Sequence, residues 1–146
     1  MSLKRFLADR RGQYLVQFVI MFPMLLLTVG IVFDGGLMYW QYRRAHVAVN
    51  AAAQAASHCV DIDHFRDTNE VILNQAEAGG VAQEYVALNG GGQVQGVSVD
   101  LSPYWLRVTG RATMHTLFLR LVGISSFSVE VEGLAYPAYG IAVEGE

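Results

Sequence analysis

The chain has 146 residues, of which 53% are hydrophobic and 16% charged, with a net charge of −3 and a mean hydropathy of +0.30. Such a balance, with no basic stripe interleaved with aromatics, excludes a nucleic-acid surface, and the single cysteine, Cys59, excludes an intrachain disulfide. There is room for one membrane anchor and one domain of roughly 90 residues, small enough that a subunit contact is expected to help stabilise it.

Lys4, Arg5, Arg10 and Arg11, set against Asp9 alone, lead into an apolar run from Tyr14 to Phe33. About twenty helical residues rising about 1.5 Å each cover roughly 30 Å, the thickness of a bilayer's hydrocarbon core. The flank after the run carries Asp34 and then Arg43 and Arg44, so the stronger basic bias is N-terminal and the amino end is expected in the cytoplasm. From Asp61 onward acidic residues outnumber Arg66, Arg107, Arg111 and Arg120, as suits an exported domain. The run exceeds a secretory h-region, and Tyr39, Trp40, Tyr42, Arg43 and Arg44 form an interfacial belt rather than a small-residue cleavage site. A retained transmembrane helix to about residue 38 is therefore expected.

No proline or glycine separates Tyr39 from Ser57, and alanine fills most positions from Ala45, so the helix should continue from about Gly12 to about Ser57. Pro23, Gly30 and Gly35-Gly36 are its candidate bends. Val47, Ala48, Ala51, Ala52, Ala55 and Ala56 form a smooth flank, free of the Glu and Lys of a solvated face, against which other backbones can pack closely. The spacing of Asp67 and Glu70 predicts a second helix opening at Asp67, interrupted at Gly79-Gly80 and ended by Asn89-Gly90-Gly91-Gly92. No lysine follows those glycines, so they make no phosphate loop.

The period then becomes two. Val97, Val99 and Leu101, a turn at Ser102-Pro103, and Leu106, Val108, Gly110 and Ala112 predict a hairpin with one apolar face. His115 to Ile124 reads as a compact apolar crossover, and Phe127, Val129 and Val131 as a third strand. The predicted fold class is α+β: a long N-terminal transmembrane helix packed on a small antiparallel sheet, with residues 1–12 a leader, 13–57 the helix and 58–146 an extracytoplasmic domain.

Chemistry-bearing residues are sparse. His58, Cys59, Asp61, Asp63 and His64 are ligand types for zinc or copper, which leaves a membrane-anchored metal-binding protein as the reading from another class; a second cysteine and a CxxC spacing are absent. His46 and His115 stand singly, and Ser125, Ser126, Glu130 and Glu132 fit a strand's polar face, with no nucleophile elbow or HExxH. Neither an enzyme nor a cofactor is expected. Tyr136, Tyr139 and the tail to Val143 are expected to cover a sheet edge or a partner.

The string Arg10-Arg11-Gly12-Gln13, then Val16-Gln17-Phe18, Pro23-Met24-Leu25-Leu26-Leu27, Phe33-Asp34-Gly35-Gly36-Leu37 and Asn50-Ala51-Ala52-Ala53-Gln54-Ala55-Ala56 resembles the TadE-like family of minor pseudopilins from tight-adherence pili. The resemblance is fainter at Thr113 to Leu119. It implies a pilin-like fold, residence in the bacterial inner membrane or an extracellular pilus, and partnership with other pilins or pseudopilins in a homo- or hetero-oligomer. It also implies that a prepilin peptidase cuts between Gly12 and Gln13, leaving Gln17 where the family usually has the glutamate that sets subunit register. A neutral amide cannot supply that charge but can donate and accept hydrogen bonds within a helix bundle. The resemblance implies a structural role, either as a minor pseudopilin or assembly component or as the major subunit of a filament.

Overall fold

The computed structural model describes residues 10–137, with side chains from Gly12 onward. The leader's Lys4, Arg5 and Asp9, and the predicted cover by Tyr139 through Val143, lie outside the described residues. The chain forms two compact units: residues up to Met38 with Thr116–Ser125, and Tyr39–His115 with the chain from Ser126.

Helix α1, Arg10–Ser57, is shared by both and runs unbroken through Pro23, Gly30, Gly35 and Gly36. In the first unit its apolar side chains are bare: the most apolar window has a mean hydropathy of 2.5 and is only 6% buried. A core helix of a soluble domain would be covered by its own chain; this one is left for lipid or other helices. Thr28 spends its hydroxyl on the carbonyl of Met24 at 2.9 Å, as a polar side chain on an apolar rod should.

The second unit holds the core. Ala45, Val49, Ala52, Ala53 and Ala56 of α1 meet Leu106, Val108, Ala112, Val131 and Ala135 of a three-stranded antiparallel sheet. The strands are β1 (Val94–Leu101), β2 (Leu106–His115) and β3 (Ser126–Ala135), in that spatial order. Small residues on both sides set the helix-to-sheet distance: a Cβ on Gly133 would lie 2.9 Å from the Val49 carbonyl oxygen. The alanine run is thus a helix face shaped for a sheet. The strand alternation follows the prediction on β2, while on β3 burial begins only at Val131; Phe127 and Val129 remain about two-fifths exposed.

Two expectations fail between Ser57 and Val94. The helix predicted to open at Asp67 is two helices, α2 (Ile62–Thr68) and α3 (Gln75–Asn89). Asp61, not Asp67, is the first cap, its carboxylate accepting the His64 N–H at 3.0 Å, and Asn69 ends α2 in the left-handed region at φ 58°. The intervening residues prefer strand-like pairing: Asp61 N–H donates to the Ile72 carbonyl at 3.0 Å and Asn74 N–H to the Cys59 carbonyl at 2.8 Å. These hydrogen bonds between more distant residues outcompete the local capping box. Nor do Gly79 and Gly80 interrupt α3, because Ala78, Ala82 and Val86 bury one stripe across them. Packing of that stripe offsets the roughly 1 kcal/mol that each glycine costs a helix.

Candidate functional site

The connection between β2 and β3 carries the least foreseen feature of the chain. Thr116–Ser125 folds around a 3₁₀ turn at Leu119–Val122, closed by Gly123 at φ 91°. Asp34 holds it to α1. The Asp34 side chain is fully buried, its Oδ1 accepting the N–H of Leu117 at 2.9 Å and its Oδ2 those of Phe118 at 2.9 Å and Leu119 at 2.6 Å. One carboxylate therefore satisfies three consecutive backbone donors, the donors a helical turn leaves unpaired at its start.

Steric fit completes the dock. Gly30, one turn before Asp34, leaves space that a side chain would close, since its Cβ would stand 2.8 Å from the Cβ of Phe118. Phe33 meets the edge of the Phe118 ring, centroids 5.7 Å apart at 77°. Read locally, Asp34 is a charge flanking an apolar run; in the structure it is an internal acceptor, and its partners lie too far along the chain for any local pattern to reveal them.

A second polar anchor stands in the other unit. Gln41, 5% exposed, donates from Nε2 to the His115 carbonyl at 3.0 Å and accepts the His115 N–H on Oε1 at 2.9 Å. Thr113 N–H points to the Gln93 carbonyl on the β1 side at 3.0 Å. In an antiparallel ladder residues two apart face the same neighbour, so His115 also points there, beyond the start of β1. The Gln41 amide takes the place of the missing strand residue.

The sequence-predicted residues are distributed differently. Gly12 and Gln13 lie in the first turns of α1, Gln13 exposed and Gly12 with open space where a Cβ would stand. Gln17 is exposed, its amide making only a 3.7 Å contact to the sulfur of Met21. On the alanine flank, Ala48, Ala52 and Ala56 are buried, whereas Ala51 and Ala55 are half-buried. Ala48 and Ala51 also line an open groove of about 440 Å³ with Trp40, Arg44, Val47 and Asn89, over which the Arg44 guanidinium sits 5.8 Å from the Trp40 ring.

The candidate metal ligands do not converge. Among the described residues no three His, Cys, Asp or Glu side chains are grouped to hold an ion. Asp61 caps α2, and His64 faces Glu70 at 3.5 Å. Glu70 also accepts the Tyr104 hydroxyl at 2.8 Å; that bond, then the one from His64, holds its carboxyl below the usual range, and Glu70 in turn pushes the Tyr104 phenol up. Cys59 is half-buried, and burial, followed by the charge of Glu77, raises its thiol.

The family model described as TadE-like protein matches residues 12–56. Over those residues the chain is similar to a TadE-like protein. The match coincides with α1 and takes in Gln17, Gly30, Asp34 and Gln41; the rest of the chain, from Ser57 on, lies beyond it. Neither a curated protein nor a solved structure matches.

Proposed function

We propose that this chain is a membrane-anchored structural component of a tight-adherence pilus, a minor pseudopilin that works by helix bundling rather than catalysis. In this reading the N-terminus is cytoplasmic and the α+β unit is exported across the inner membrane. The observation that carries it is the coincidence of the TadE-like match with a helix whose apolar half the chain itself leaves uncovered. Such a surface associates through close packing and polar side chains that find partners across helices. Gln17 is the polar group in position to do so, since a sulfur contact leaves most of its hydrogen-bonding capacity unused. Cleavage between Gly12 and Gln13 by a prepilin peptidase would remove the basic leader and let the helix enter a bundle; Ala51 and Ala55 supply the packing flank outside the membrane.

The test uses a photo-crosslinking residue at position 17 in native membranes, with a deletion strain beside it. Crosslinks to other pilin-type helices and loss of sheared surface filaments on deletion are expected. Normal filaments in the deletion strain, with crosslinks from position 17 to lipid alone, would overturn the reading. The intact mass of the membrane-purified protein reports processing: loss of Met1 through Gly12 is expected.

A further inference from the structure

The loop that docks on Asp34 is unusually apolar for a connection between strands. Leu117 is 60% exposed, Leu121 81% and Val122 59%, with Arg120 the only charged residue from Thr116 to Ser125. Loops normally present polar groups because water must satisfy their backbone. Here seven of the ten backbone N–H groups from Thr116 to Ser125 are paired within the chain. The N–H groups of Leu117, Phe118 and Leu119 go to the Asp34 carboxylate, those of Leu121, Gly123 and Ile124 to carbonyls within the turn, and that of Thr116 to Ser125. The Thr116 hydroxyl donates to the Ile124 carbonyl.

We propose that this connector is a second lipid-contacting element, lying in the membrane beside the transmembrane helix at its C-terminal end. The proposal rests on the anchor reading of α1. Two independent observations lead to lipid rather than to water or a protein partner. First, the residues on which the connector docks, Gly30, Phe33 and Asp34, close the apolar run itself and precede the aromatic pair Tyr39 and Trp40 in sequence, so the exposed leucines continue the lipid-facing surface of that unit. Second, irregular backbone is tolerated at membrane depth only when its polar groups are paired within the protein, and this pairing is what the Asp34 carboxylate supplies. Arg120, exposed and on a long stem, would reach headgroup phosphates while its methylenes stay in the apolar layer.

The experiment is spin-label accessibility on the full-length chain in vesicles of phosphatidylethanolamine and phosphatidylglycerol, with Cys59→Ala as background. Labels go at Leu121→Cys, at Val122→Cys as a second reporter should the first perturb folding, at Leu26→Cys within the span, and at Leu88→Cys, an exposed position on α3. Oxygen partitions into lipid and a charged nickel chelate into water. Labels at 121 and 122 are expected to resemble that at 26, with an oxygen-to-nickel ratio several-fold above that at 88. With position 26 in lipid, nickel accessibility at 121 and 122 equal to that at 88 overturns the connector proposal alone. Protection at 121 and 122 from both reagents, the signature of a covering protein, overturns it too. Nickel accessibility at 26 overturns the anchor reading and the connector with it.

Discussion

Replacing Gln41 tests whether a side-chain amide completes the sheet. Gln41→Leu keeps the volume and removes both hydrogen bonds, leaving the His115 N–H and C=O unpaired at a position the amide had sealed. An unsatisfied buried backbone group costs about 1–3 kcal/mol, and the carbonyl less than the N–H, so together about 2–4 kcal/mol of local stability should go. At about 1.4 kcal/mol per tenfold, the His115 amide should exchange with solvent faster by roughly one and a half to three orders of magnitude. Amide exchange of the full chain in lipid nanodiscs, resolved to single residues, measures this directly, with α3 amides as the unaffected control. Gln41→Glu sharpens the test. It keeps the acceptor for the His115 N–H but sets a carboxylate oxygen against the His115 carbonyl, which raises the folded-state pKa of the new acid. Stability is then greatest below the unfolded pKa and lost as pH rises through the folded one. Protection at His115 in that variant should therefore improve on acidification, while Gln41→Leu stays flat. If Gln41→Leu exchanges at the wild-type rate, His115 has another partner and the surrogate-strand argument is wrong.

Asp34→Asn retains one acceptor oxygen but turns an NH₂ toward a backbone donor, so amide protection at Leu117 through Leu119 should fall, and fall further in Asp34→Ala; equal protection in all three proteins would refute the anchor. Gly133→Val places branched carbons against the Val49 carbonyl and should cost about 1–3 kcal/mol by overpacking, read as a lowered Tm in a thermal melt; an unchanged Tm would mean that β3 slides freely on α1. Glu70 has a folded-state pKa lowered by Tyr104 and then His64, so its contribution is present above the unfolded pKa and lost as pH falls through the folded one. Tyr104→Phe should move the Glu70 carboxyl titration, followed by NMR, back up; no movement would show that the hydroxyl is unbonded in solution.

Where the sequence was legible, the signal was local and repeated. An apolar run ending in alanines specifies one helix because each residue reports on its own propensity, and period-two alternation marks β2 because one face is buried throughout. Where the reading failed, a local signal met a distant competitor. Asp67 and Glu70 have capping-box spacing, yet Val60 pairs with Leu73 and holds the intervening chain extended. Gly79 and Gly80 look like a stop, yet the stripe of Ala78, Ala82 and Val86 packs across them.

The long helix, its capacity to cross a membrane and the α+β class were determined by the sequence alone, through hydrophobicity and periodicity that act over a few turns. The roles of Asp34 and Gln41 were decided only by tertiary structure. Each is an isolated polar residue on a long helix, and its meaning depends on which backbone donors arrive from the connector and from the end of β2. A carboxylate beside an apolar run looks the same in sequence whether water or three N–H groups will satisfy it; only the fold brings those groups within hydrogen-bonding reach.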